Sequence, residues 1–261
     1  MAKDLLNSLN LDQRAAVEAT EGPVLILAGA GSGKTRVLTF RAAYLIREKQ
    51  IDPERILLLT FTNQAGKEMQ ERISKLVEGS ELPWAGTFHS FCAKVLRREG
   101  GALGIEPDYV IYDGNDQEMA MKQAVEKLKL SVKEFKPRLI LNAVSAAKNE
   151  LVGPLEYPQY VKGAWYERVA ELYLAYQKIL KEAGAVDFDD LLMETVRLWR
   201  KEPQVLARYQ DKYKYVLVDE YQDTNQAQYV LTKMLAGRWK NLACVGDFSQ
   251  SVYMWRGADF R

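Results

Sequence analysis

The run Val24-Leu25-Ile26-Leu27-Ala28-Gly29-Ala30-Gly31-Ser32-Gly33-Lys34-Thr35 constrains this chain more than any other feature. A short apolar strand feeds a glycine-rich loop that ends in Gly-Lys-Thr, and a helix-forming stretch follows. That order builds a phosphate cradle. Small residues (Gly29, Ala30, Gly31, Ser32, Gly33) let backbone N–H groups turn inward around phosphate oxygens. The helix N-terminus adds partial positive charge, Lys34 reaches the β/γ-phosphates, and Thr35 offers a hydroxyl to Mg²⁺. Ala28 stands where the usual pattern begins with glycine. The departure is mild, because the crowded glycines are those nearer the phosphates.

Short β-rich runs at 24–28, 55–61, 84–88, 215–219 and 242–246 are nearly continuous apolar stretches, as expected for parallel strands buried on both faces. Helical patterns from Lys34 to about Glu48 and from Gln64 to about Val77 separate the first three. Such alternation predicts an α/β fold with a parallel sheet. The region 91–206 is different. It is helical by period, with one weak strand candidate at 109–112. Trp165, Val169, Leu172, Tyr176, Ile179 and Ala183 form one apolar stripe on a long helix, and Met121, Val125 and Leu128 form another. Both are most simply core. The sheet therefore reads as interrupted by a helical insertion, with three domain segments at 1–90, 91–206 and 207–261.

The second strand cluster ends in carboxylates: Tyr215-Val216-Leu217-Val218-Asp219-Glu220. At the C-terminal edge of a parallel sheet, an Asp in this position faces the ligand crevice. Asp219 can hold Mg²⁺ opposite Thr35, and Glu220 can accept a proton from an attacking water. Gln13 is open to two readings. Its amide can pair with the N6/N7 edge of adenine. It also stands three residues after Asn10, where it would close a helix capping box, and spacing alone favours the cap.

Composition narrows the remaining choices. The 261 residues are 48% apolar, enough for a large core in one or two domains. Lys and Arg number 36 against 35 Asp and Glu, which excludes a uniformly basic nucleic-acid coat but not a local basic groove. Cys92 and Cys244 show no metal-ligand spacing, so a reduced, cytoplasmic setting is expected. The N-terminus lacks a signal-peptide core, and no uncharged apolar run approaches ~18 residues. His89 is the sole histidine, which excludes chemistry needing two.

Six ordered segments now line up. Leu9-Asn10-Leu11-Asp12-Gln13 precedes the phosphate loop; Leu59-Thr60-Phe61-Thr62-Asn63 and Gly86-Thr87-Phe88-His89-Ser90 follow the next two strands. Asp187-Phe188-Asp189-Asp190-Leu191-Leu192 lies in the insertion. Val218-Asp219-Glu220-Tyr221-Gln222-Asp223-Thr224-Asn225 and Gly246-Asp247, running on to Gln250-Ser251-Val252-Tyr253-Met254-Trp255-Arg256-Gly257-Ala258-Asp259, close the series. Together, and over essentially the whole chain, they resemble the UvrD/Rep/PcrA family of superfamily 1 DNA helicases.

The resemblance implies a RecA-like P-loop NTPase domain with a parallel sheet, interrupted by a helical insertion, and a protein that uses ATP and Mg²⁺ to move 3′–5′ along single-stranded DNA. Gln13 would read adenine, with Arg36 beside the base. Lys34, Thr35 and Asp219 would bind phosphate and metal, and Glu220 would be the catalytic base. Gln250 would sense the γ-phosphate or the attacking water, and Arg256 would help couple that site to DNA. Phe61, Thr62, Asn63, Thr87, His89, Tyr253 and Trp255 would border the DNA path, where aromatic faces grip bases without reading sequence at roughly 1–3 kcal/mol per base. Expected partners are single-stranded DNA, single/double-strand junctions and proteins of repair or replication, with the protein a monomer and no membrane involved.

This chain departs from the family pattern at Gln64, where Lys is usual, at Gly66, where Ala is usual, and at Phe248-Ser249, where an acidic pair is usual. Family members continue into a second RecA-like domain that supplies arginines to the γ-phosphate. The polypeptide ending at Arg261 is therefore expected to be the N-terminal part, binding ATP weakly, hydrolysing it very slowly and not unwinding DNA alone. Two rivals are a P-loop switch with no role on DNA, and a non-catalytic DNA- or partner-binding module that keeps the motor fold.

Overall fold

The computed structural model describes residues 5–29, 31–77, 79 and 81–247. In chain order the first elements are α1 (Leu11–Glu18), β1 (Val24–Leu27), α2 (Lys34–Arg47), β2 (Ile56–Thr60), α3 (Asn63–Val77), β3 (Trp84–Thr87) and α4 (Phe88–Glu99). Next come β4 (Val110–Tyr112), α5 (Gly114–Lys127), α6 (Pro137–Asn149), α7 (Ala164–Glu182), β5 (Ala185–Asp187) and α8 (Phe188–Lys201). The last are α9 (Pro203–Lys212), β6 (Tyr215–Val218), α10 (Gln226–Ala236) and β7 (Asn241–Gly246). Two compact units result. One takes the described residues up to Phe91, Pro203–Thr224 and 229–247; the other takes Cys92–Glu202 and Asn225–Gln228.

The first unit is a mixed α/β layer built on a five-stranded sheet of order β1-β7-β6-β2-β3, with every pairing parallel. All residues of β2 and β6 are buried, as the unbroken apolar runs require. Leu38, Ala42 and Leu45 of α2 and Met69 and Ile73 of α3 pack with Ile56, Leu58, Leu217 and Val245 in one core. The edge strand β1 departs from the expectation of burial on both faces: Leu25 and Leu27 are 52% and 61% exposed. The two leucines share one face of β1, and that face is the more exposed one. Gly66 weakens α3 as a helix former, yet a Cβ there would lie 3.1 Å from Cα of Gly86, so α3 rests directly on the backbone of β3.

Register places the functional edge. Leu27 pairs with Gly246, Val218 with Cys244, Leu59 with Val218, and Thr60 with Thr87. The C-terminal ends of all five strands therefore lie along one side of the sheet, where ligands of open parallel sheets bind.

The second unit is helical around the apolar residues Met121, Val125, Ile140, Val144, Val169, Leu172, Tyr173 and Tyr176. The two stripes read from the sequence are core for most of their length, but their ends are not. Trp165, Ala183 and Leu128 are exposed, each at or next to a helix terminus. The strand candidate at 109–112 is realised as β4, which pairs in parallel with β5. β5 has only three residues and was not anticipated.

Candidate functional site

The glycine-rich loop leaves β1 and enters α2 through Gly33, whose φ of +87° is a left-handed conformation open to glycine. A Cβ there would also lie 3.1 Å from Nε2 of Gln13. Inside the loop, Ser32 donates from both its N–H (3.3 Å) and its hydroxyl (2.7 Å) to the Gly29 carbonyl. The Lys34 ammonium, nearly buried, lies 3.4 Å from the same carbonyl and 3.7 Å from Oδ2 of Asp247. The lysine is thus drawn back over its own loop, against the start of the adjoining chain after β7. Ala30 lies outside the described residues.

Three strand ends meet here. The Thr35 hydroxyl donates to Oδ2 of Asp219 at 3.1 Å, and Asp219 is held at the end of β6 by its own N–H bonding to Leu59 at 3.0 Å. Burial first, and Glu220 second, push the Asp219 carboxyl up to about 6, against the pull of the Glu220 N–H, Thr35 and Lys34. Glu220 turns the chain with φ of +50°, an uncommon conformation for a residue with a side chain. That turn aims its carboxylate at Gln222, whose Nε2 donates to Oε2 of Glu220 at 2.7 Å.

The donor set suits Mg²⁺, which keeps several waters and takes one or two protein oxygens together with phosphates. Thr35 and Asp219 supply such a pair of oxygens. Among the described residues no cluster of three His, Cys, Asp or Glu could hold a metal by itself.

The capping-box reading of Gln13 is present in the geometry. Its backbone N–H donates to Asn10 at 2.9 Å and its Oε1 accepts from the Asn10 N–H at 3.2 Å, the capping box. Its Nε2 donates 2.9 Å to the Ser32 carbonyl, which ties α1 to the phosphate loop. Buried Arg41 anchors the far end of α1 through the carbonyls of Ala16 (2.6 Å) and Thr20 (3.3 Å). Arg36 bonds the Ser8 carbonyl at 2.7 Å and stacks over Phe40, on the same side of the loop as α1.

The DNA-path candidates fall on the neighbouring strands. Phe61, Thr62 and Asn63 follow β2; Thr87 ends β3 and His89 lies in the first turn of α4. Phe61 is half-buried and meets Phe88 edge-on at 6.0 Å. Thr62 caps α3 by accepting from the Ala65 N–H, and Thr87 accepts from the Ser90 N–H, each at 3.1 Å. Sheet order thus divides the edge, with phosphate-loop and carboxylate residues on β1, β7 and β6 and the remaining candidates on β2 and β3. Gln250, Tyr253, Trp255 and Arg256 lie outside the described residues.

Two residues of the site were missed in sequence. Asp247 reaches Lys34, and Gln222 reaches Glu220. Asp247 directly follows an apolar strand, as Asp219 does, and that shared position was the available signal. No local pattern marks Gln222, because its partners come from two different strand ends.

A model of the UvrD/REP helicase N-terminal domain matches residues 9–261 of the chain. The chain is 48% identical over 258 residues to a Staphylococcus aureus protein named ATP-dependent DNA helicase PcrA, covering 98% of this chain and 35% of that protein. Proteins of the same name from Leuconostoc citreum and Staphylococcus epidermidis are 49% and 47% identical, over 257 and 258 residues. Each covers 98% of this chain, which spans 34% of the first and 35% of the second. The chain therefore spans about a third of the length of these curated relatives.

Proposed function

The chain belongs to the UvrD/REP helicase N-terminal domain family, and on that premise we propose that it is the ATP-binding part of an ATP-dependent DNA helicase that moves 3′–5′ on single-stranded DNA. The contact between Thr35 and Asp219 carries the proposal. It supports a single site in which phosphate loop and acidic strand end serve one nucleotide. Lys34 would leave Gly29 and Asp247 for the β/γ-phosphates. Thr35 and Asp219 would hold Mg²⁺, which supplies neutralising charge to the phosphates when bound. Glu220 would accept the proton of the attacking water at its carboxylate. Gln13, placed against the loop, would meet adenine, with Arg36 beside it.

Residues 1–90 and 207–261 are proposed as the two parts of the motor domain and 91–206 as its inserted subdomain, a reading supported by the division at Phe91 and Pro203. Phe61, Thr62, Asn63, Thr87 and His89 are proposed to border single-stranded DNA, supported by their shared place at the ends of β2 and β3. Gln250, Tyr253, Trp255 and Arg256 keep the roles that family membership suggests. Buried Cys92 and Cys244, with thiols pushed up to about 12 by burial, suit a reducing cytoplasm.

The test is a titration of a fluorescent ATP analogue with parent and Lys34→Met, each with and without single-stranded DNA. Charge-assisted bonds to phosphate are worth about 1.5–3 kcal/mol, so Lys34→Met should weaken binding about 10–100-fold. DNA should change the parent's nucleotide affinity. Nucleotide binding that ignores DNA would favour a switch with no role on DNA; binding that ignores Lys34→Met would remove the nucleotide site.

A further inference from the structure

We infer that Gln222 is a positioning residue for Glu220, holding its carboxylate in one orientation by bridging the ends of β6 and β7; the inference rests on Glu220 being the proposed base. The Gln222 side chain is buried, with 3% exposure. Its Oε1 accepts the backbone N–H of Asp247 at 2.9 Å. A backbone N–H can only donate, so this bond assigns the oxygen of the amide and leaves Nε2 facing the carboxylates. Nε2 donates to Oε2 of Glu220 at 2.7 Å and to Oδ2 of Asp223 at 3.2 Å.

The fit around this amide is close. A Cβ on Gly246 would lie 2.9 Å from Gln222 Oε1 and 3.3 Å from its backbone N. Only a glycine at the end of β7 leaves the bridge room. Gln222 itself sits in a single 3-10 turn, Tyr221–Asp223, which Glu220 starts from its left-handed conformation. Backbone strain and amide bridge act together, one turning the carboxylate inward and the other fixing its rotation.

The consequence for chemistry is specific. Gln222 occupies one oxygen of Glu220, and Oε1 has no hydrogen bond among the described residues. A carboxylate gripped at one oxygen presents the other in a fixed direction for a water proton, the geometry a general base requires. The grip is neutral, so it orients the base without adding positive charge that would weaken it. Gln222 reaches Lys34 through Asp247, whose side chain lies 3.7 Å from that ammonium, so KM for ATP is the readout that separates positioning of the base from nucleotide binding.

The experiment measures steady-state ATP hydrolysis by the full-length protein with saturating single-stranded DNA. Its variants are Gln222→Met, Gln222→Glu, Glu220→Gln and the double variant Glu220→Gln/Gln222→Met. Misplacing a reacting group by about 1 Å can cost about 100-fold, so Gln222→Met should lower kcat by about that factor with KM for ATP unchanged. Added to Glu220→Gln, it should cause no further loss. Gln222→Glu keeps the acceptor for Asp247 but offers Glu220 no donor, so kcat should fall again. It decides the matter if Gln222→Met does not fold.

Wild-type kcat in the Gln222 variants, or losses that multiply with Glu220→Gln, would overturn the inference and leave Glu220 as the base. A rise in KM in step with the fall in kcat would also overturn it, as damage to nucleotide binding. Near-wild-type hydrolysis by Glu220→Gln would remove the proposed base itself, and the role of Gln222 with it.

Discussion

The hydroxyl of Thr35 donates to Oδ2 of Asp219 across 3.1 Å, although 184 positions separate the two residues. Each sits one step beyond a structural boundary, Thr35 in the first turn of α2 and Asp219 just after β6. Because β7 alone separates β1 from β6 in the sheet, the loop after one reaches the carboxylate after the other.

That contact makes a cation-dependence prediction. Thr35→Val preserves volume and removes the hydroxyl; Asp219→Asn removes the charge. Both variants should lose the gain in nucleotide affinity that Mg²⁺ brings, about 10–100-fold, while binding in EDTA stays near the parent value. Titrations of a fluorescent ATP analogue with Mg²⁺ and with EDTA check this. A full Mg²⁺ gain surviving in both variants would place the cation elsewhere.

The phosphate loop predicts its own sensitivity. Gly33→Ala forces a side chain into φ +87° and against the amide of Gln13. A residue held in such a conformation costs about 1–3 kcal/mol. Thermal melts should show that loss, and nucleotide affinity should fall with it, since both α1 and the loop must shift.

A buried ion cluster in the second unit predicts a pH-dependent stability. The Lys148 ammonium lies 2.6 Å from Asp187 and 2.8 Å from Asp190, and the Tyr176 hydroxyl donates to Asp187 at 2.9 Å. Burial alone would lower Lys148, but the two carboxylates hold it above its ordinary value. Burial would raise Asp187, yet Lys148 and its hydrogen bonds hold it below. Asp190 is pushed up to about 7 by burial and by Asp187. Folded Asp190 thus keeps a proton that the unfolded chain has lost, and its contribution falls as pH rises from about 4 to 7. Lys148→Met leaves both carboxylates uncompensated and should cost about 3–5 kcal/mol. The cost should be larger at pH 8 than at pH 5.5, where protonation relieves it. Urea unfolding at both values tests the sign.

Phe61 predicts a separation of the two halves of the edge. Phe61→Ala should weaken single-stranded DNA binding by the ~1–3 kcal/mol of one stacked base. Nucleotide affinity without DNA should be unchanged, because Phe61 follows β2 and packs on Phe88, while the phosphate loop follows β1, with β7 and β6 between the two strands. Fluorescence anisotropy of a labelled oligonucleotide measures the first, and an ATP-analogue titration the second. Unchanged DNA affinity would leave Phe61 as packing alone.

What could be read along the chain was whatever a few neighbouring residues decide. The strands of the large sheet are legible in 24–28, 55–61, 84–88, 215–219 and 242–246, because burial on a parallel sheet demands unbroken apolar runs. β5 is not legible, since three residues carry no period and their pairing with β4 is made across the intervening helices. Exposure of Leu25 and Leu27 was hidden for a related reason, as an edge strand and a central strand share the same apolar composition.

By itself, the sequence determined the phosphate loop, the strand-end carboxylates Asp219 and Glu220, and the α/β class, because backbone preference and apolar period are local properties. Tertiary structure alone decided that Lys34 meets Asp247, that Gln222 links Glu220 to the backbone after β7, and that Lys148 is buried between two aspartates. An amide or ammonium looks the same in sequence whether water or a carboxylate surrounds it, and only the order of strands and the packing of helices supply the partner.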